Sequence, residues 1–144
     1  MSPHPPPRFV SEHLVLDIVA VPRAVPEARR VVGAYLGDPC PDVLLCLSEL
    51  LTNVIRHVGE GTPVTVRVCP GPSGTTRLEV TDAGPPALLL ARYPHRYDES
   101  GRGLLLVGVI ARRWGVKAQA GGRTVWCELV ADEPSVSGRS AASP

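Results

Sequence analysis

Glu49 and Asn53 stand four residues apart in the segment Glu-Leu-Leu-Thr-Asn-Val-Ile-Arg-His-Val at 49–58. A helix over this segment carries both side chains on one face, one turn apart. Thr52, Arg56 and His57 fall on the same arc. The arc thus gathers a carboxylate, an amide, a guanidinium and an imidazole, a set able to donate, accept and move protons. Apolar residues recur on the other side at Val43, Leu44, Leu47, Leu50, Leu51, Val54, Ile55 and Val58. That i, i+3/i+4, i+7 spacing is the period of an amphipathic helix. An ordinary solvated helix face has the same composition, so the arc alone does not decide between the two.

Two further groups of residues bear on that choice. Val80-Thr81-Asp82-Ala83-Gly84-Pro85 reads as a strand that stops at an aspartate followed by glycine. A carboxylate there can accept a hydrogen bond from an exocyclic amine such as that of adenine, and the glycine lets backbone pass close to a flat ring. Asp-x-Gly-Pro is also an ordinary turn. Glu99-Ser100-Gly101-Arg102-Gly103-Leu104 places a Gly-x-Gly where a loop becomes a helix. Unbonded N–H groups at such a start favour phosphate oxygens, and Arg102 adds a cation. A helix that only needs a flexible entry would look the same.

The elements that must position these groups follow from period and punctuation. A strand is expected over 14–21, then a helix from Val25 to Leu36 with Pro26 in its first turn and Gly37 after its end. The second helix is expected to be capped by Asp42 and ended by Gly59. Pro63 to Cys69 alternates, with Val64, Val66 and Val68 inward, and a second strand covers Thr76 to Thr81. Residues 83–100 have no periodicity and read as a long functional loop. A helix from Gly103 to Arg113, closed by Gly115, precedes a hairpin of 116–120 and 123–130 turned at Gly121-Gly122. Helices grouped against a mostly antiparallel sheet make an α+β two-layer sandwich. No strand-helix unit opens with a phosphate-loop sequence, which argues against a Rossmann or Walker-type site.

The chain of 144 residues suits one domain, and its net charge of +1 gives no pull towards nucleic acid or a membrane surface. Residues 1–8 and 132–144 are expected to be disordered, with the folded domain over 9–131. Cys40, Cys46, Cys69 and Cys127 form no CxxC pair, so free thiols in a reducing cytoplasm are expected. No apolar run approaches the roughly 20 residues that span a bilayer.

Taken in order, a helix bearing Glu49 and Asn53, a strand-end Asp82-x-Gly84, a loop, Gly101-Arg102-Gly103 at a helix start and a terminal Gly122-Arg123-Thr124 hairpin resemble the GHKL superfamily of ATP sites, the Bergerat fold. Ser48 to His57, and Ser100 to Leu104 followed by Trp114-Gly115-Val116, look closest to the standalone anti-sigma-factor serine kinases. The resemblance implies ATP and Mg²⁺ as cofactors, with Asn53 coordinating the ion and Glu49 acting as general base. Asp82 would bind the adenine amine with Gly84 beneath the ring, and Thr124 would close the adenine pocket through a water. Gly101, Arg102, Gly103 and Leu104 would face the phosphates, and residues 86–100 would form a lid. Arg56 and His57 would either contact phosphate or stay at the surface. The implied partners are a sigma factor or similar regulator and a small antagonist protein that is phosphorylated, with dimerisation possible on the first strand. One departure is Pro85-Pro86 after Gly84, where the family has a second glycine. Two prolines stiffen that hinge and remove two N–H donors.

Overall fold

Alternation of apolar and polar side chains builds the sheet. In the computed structural model, which describes residues 4–37, 39–83, 105–119 and 121–130, six strands are joined in one sheet. They are β1 (Arg8–Val10), β2 (His13–Val19), β3 (Pro63–Pro70), β4 (Thr75–Asp82), β5 (Arg113–Gln119) and β6 (Gly122–Val130). Their spatial order is β1-β2-β3-β4-β6-β5, and every neighbouring pair is antiparallel. Helices α1 (Ala24–Leu36), α2 (Pro41–His57) and α3 (Leu105–Ile110), with a short 3-10 turn at Pro72–Gly74 between β3 and β4, complete the described elements. The fold is α+β.

Register explains which side of the sheet is buried. Leu16 faces Val66, Val66 faces Val80, and Val80 faces Val125 across successive strands. With Leu14, Val64, Val68, Leu78, Cys127 and Leu129 they form the apolar face. The stripe of α2, Val43, Cys46, Leu47, Leu50, Leu51 and Val54, completes the core against it. Burial of each such aliphatic side chain stabilises the fold by roughly 1.5–3 kcal/mol. All four cysteines are buried. Cys46 and Cys127 link α2 to β6 by a thiol hydrogen bond, which together with burial pushes the Cys127 thiol far above its ordinary range.

Several local expectations needed correction. A short strand, β1, precedes the expected first strand, joined to it by Ser11 and Glu12, both left-handed at φ 52° and 70°. A two-residue turn of that hand matches strand twist, but it is normally marked by Asn or Gly, so Ser-Glu hid it. Tyr35 fixes this hairpin to α1 by donating to the Glu12 carbonyl at 2.6 Å. The segment ahead of β1 is described from His4, whose Nε2 accepts the Val19 N–H at 3.1 Å. Asp42 does not cap α2: Cys40 holds the cap position, Pro41 opens the helix, and Asp42 lies in the first turn. The third helix ends at Ile110 rather than Arg113, and Gly115 lies inside β5 instead of closing a helix. The Arg112 N–H donates to the Glu128 carbonyl at 2.8 Å, so the chain turns directly into the sheet. Glycine is needed at 115 because a Cβ would meet the Trp126 ring at 2.9 Å.

The outer face of the sheet is polar. Arg77 binds Glu79 and Glu128, Arg113 binds Glu128, and the Arg77 guanidinium stacks 4.2 Å from the Trp126 ring centre. The bond from Arg113, against a little desolvation and with help from Arg77, holds the Glu128 carboxyl below its ordinary value. Burial works to raise Asp17, but the bonds from Arg8 and Thr65 outweigh it and hold that carboxyl low as well. Carboxyls depressed in the folded state contribute stability above their unfolded pKa, and that contribution is lost as pH falls through the folded values. The urea midpoint is therefore expected to be flat from about pH 7 to 5 and to fall below about pH 4, the ordinary carboxylate range. Glu128→Gln should make that fall shallower.

Candidate functional site

Two anchors set the polar arc of α2. Arg29 on α1 donates from Nη1 to the Leu44 carbonyl at 2.9 Å and to Ser48 Oγ at 2.8 Å. Ser48 Oγ in turn donates to the Leu44 carbonyl at 3.0 Å. The turn that carries Glu49 is thus pinned to the neighbouring helix. Along the arc Glu49, Thr52 and His57 are half-buried and Arg56 is exposed. Asn53 is 3% exposed. A solvated helix face does not bury its amide to that extent, because amide burial carries a cost unless the group has a partner.

The far end of the site is built by β4 and β6. Asp82 is the last residue of β4 and faces Arg123 directly across the ladder. Asp82 shares the face of Leu78 and Val80, and Arg123 shares that of Val125 and Cys127, so both point to the helix side of the sheet. Their side chains are 2% and 1% exposed and form an ion pair of 2.5 Å between Arg123 Nη2 and Asp82 Oδ2. α2 ends at His57 and the short link 58–62 leads into β3, whose Val64 pairs with Asp82. The Asn53 half of α2 and the Asp82–Arg123 pair therefore lie at the same end of the sheet.

Thr124 does not join them. It follows Arg123 by one residue and so points to the opposite face, where its Oγ1 lies 2.7 Å from Thr81 Oγ1. Period two forces this result: a hairpin that turns Val125 and Cys127 inward turns Thr124 outward and Arg123 inward. Arg123 was the residue missed, although the alternation of 123, 125, 127 and 129 was legible. Arg29 was also missed, since no local pattern marks a long-range anchor. Gly84, Gly101, Arg102, Gly103 and Leu104, and the loop 86–100, lie outside the described residues.

Gly122 shows how closely the two strands meet here. A Cβ at this position would collide with the backbone carbonyl of Asp82. Gly122→Ala is expected to push β6 from β4 at the pair and to lose about 1–3 kcal/mol of stability, the usual cost of overpacking. Denaturant midpoints with an unchanged slope would show it; an unaltered midpoint would mean that the strands separate freely.

The arrangement offers a carboxyl acceptor bonded to a guanidinium on the sheet and, on α2, a buried amide with a second carboxyl one turn away. Among the described residues no three acidic, cysteine or histidine side chains cluster as a closed metal cage. An amide oxygen is nonetheless a suitable hard ligand for Mg²⁺, which keeps waters and takes few protein ligands. No described helix is long and apolar enough to cross a membrane.

The chain is similar to several known proteins. An uncharacterised protein of Streptomyces coelicolor is 46% identical over 99 residues, covering 68% of this chain and 94% of that protein. The crystal structure of the RsbU and RsbW domains of a Mycobacterium tuberculosis protein matches with a TM-score of 0.60 at 18% identity. That match covers 83% of this chain but 32% of the other, and at such identity it speaks for the fold alone. The family described as the histidine kinase-like ATPase domain matches residues 18–129. The chain belongs to the histidine kinase-like ATPase family, with a GHKL-type fold.

Proposed function

We propose that this ATPase-family domain is an ATP- and Mg²⁺-dependent protein serine/threonine kinase of the anti-sigma type. It binds a sigma factor or similar regulator in the cytoplasm and phosphorylates a small antagonist protein. The observation that carries this reading is the burial of Asn53 one turn from Glu49, at the same end of the sheet as the Asp82–Arg123 pair. Family membership supports ATP as the ligand, and likeness to a structure containing an RsbW domain supports the regulatory setting.

In this reading Asn53 holds Mg²⁺, which when bound neutralises phosphate charge. Glu49 orients the attacking hydroxyl and takes its proton. Asp82 accepts from the adenine amine, with Gly84 beneath the ring. Gly101, Arg102, Gly103 and Leu104 serve the phosphates. Arg56, exposed at the arc's edge, and His57 serve as outer phosphate contacts. Phe9 and Val10, exposed on edge strand β1, offer a surface for a homodimer.

Pro85-Pro86 favours a second reading, a non-catalytic module in which ATP gates partner binding. Incubation with γ-labelled ATP and candidate antagonist proteins separates the two. Label on the antagonist's serine or threonine supports the kinase. ATP-dependent partner binding without transfer supports the module.

A further inference from the structure

The cross-strand ion pair at the end of β4 has a chemistry that the carboxylate alone does not. Asp82 ends its strand with one oxygen, Oδ2, bonded to Arg123 Nη2 at 2.5 Å. Both side chains are almost fully shielded, at 2% and 1% exposure, on the helix side of the sheet. The two residues are directly opposed in the β4–β6 register, so their relative position is fixed by the backbone ladder rather than by long flexible side chains. Gly122, packed against the Asp82 carbonyl, holds the strands at closest approach beside them. A guanidinium is a donor only and does not lose its proton in proteins, whereas an ionised carboxylate is an acceptor only. The ladder thus sets a permanent donor beside an acceptor at the position from which a nucleobase would be read.

We infer that Arg123 is a base-reading, specificity-determining residue, donating to the ring nitrogen that flanks the exocyclic amine of adenine while Asp82 accepts from the amine. The inference rests on the nucleotide-binding reading above. Adenine carries its 6-amino donor between two acceptors, N1 and N7, so either edge presents a donor next to an acceptor. That pattern is the complement of the Asp82–Arg123 pair. Hypoxanthine, which has an acceptor oxygen at C6, presents the reverse pattern on its N1 edge and two acceptors on its N7 edge, so neither edge offers Asp82 the amine donor.

The test uses the full chain and four nucleotides: ATP, 1-deaza-ATP, 7-deaza-ATP and ITP, each titrated with Mg²⁺ by calorimetry. Deleting the ring nitrogen that faces Arg123 should weaken binding roughly tenfold or more, since hydrogen bonds to charged groups are the strong ones. One deaza analogue should therefore bind much more weakly than ATP, and ITP should bind more weakly still. In Arg123→Met the ratio of ATP to that analogue should fall to near one, and Arg123→Lys should restore part of it. Equal affinity of the wild-type protein for ATP and both deaza analogues would overturn the assignment of Arg123 and leave ATP binding intact. No binding of any of the four by folded wild-type protein would instead overturn the nucleotide-binding reading. Should Arg123→Met fail to fold by circular dichroism, the wild-type comparison still decides.

Discussion

Glu49→Ala is expected to lower phosphate transfer to the antagonist protein by roughly 10²–10⁴-fold, the usual contribution of a positioned general base. ATP affinity should change little. The reason lies in the geometry of α2: Glu49 is half-buried one turn from the buried Asn53, and Arg29 and Ser48 hold the turn that carries it. In the proposed kinase reading, removing the carboxylate deletes the group that acts on the incoming hydroxyl and leaves the Asp82–Arg123 pair, the proposed base site, undisturbed. Glu49→Gln should be almost as slow, because an amide keeps the shape but does not take the proton. Transfer at the wild-type rate in either variant would refute the assignment.

Asp82→Ala is expected to be the most destabilising change in the site. It strips one partner from an ion pair whose members are 2% and 1% exposed, and breaking such pairs typically costs about 3–5 kcal/mol. Thermal unfolding should drop by on the order of 10 °C for a domain of this size. Replacing both partners by apolar residues, as in Asp82→Leu with Arg123→Met, should recover a large part of that loss, because no unpaired charge is then left behind. ATP binding should be lost in both proteins. A double variant no more stable than Asp82→Ala would show that the pair contributes through something other than its charges.

The sequence made the helix-facing side of the site readable because period is a strong signal. Leu47, Leu50, Leu51 and Val54 fix the buried stripe of α2, and from that stripe the arc of Glu49 and Asn53 follows. Strand alternation in Val64, Val66 and Val68 places the core face in the same way. The end of β4 at Asp82 was also legible. Motif position and parity disagree at Thr124: the motif points it to the pocket, while the strand period turns it outward to Thr81. Arg123 escaped notice because an arginine in a hairpin is ordinarily solvated, and only its cross-strand partner makes it a buried residue. The Ser11-Glu12 turn, Arg29 and the role of Gly115 under Trp126 depend on tertiary contacts that no short window records.

The central claim is that the polar arc of α2 lines a Mg²⁺–nucleotide pocket. Calorimetric titration of a non-hydrolysable ATP analogue, with and without Mg²⁺, into the wild-type protein and Asn53→Ala tests it most directly. Mg²⁺ should strengthen wild-type binding at least about tenfold, equivalent to roughly 1.4 kcal/mol, and should have almost no effect on the variant. The same Mg²⁺ response in both proteins would contradict the claim.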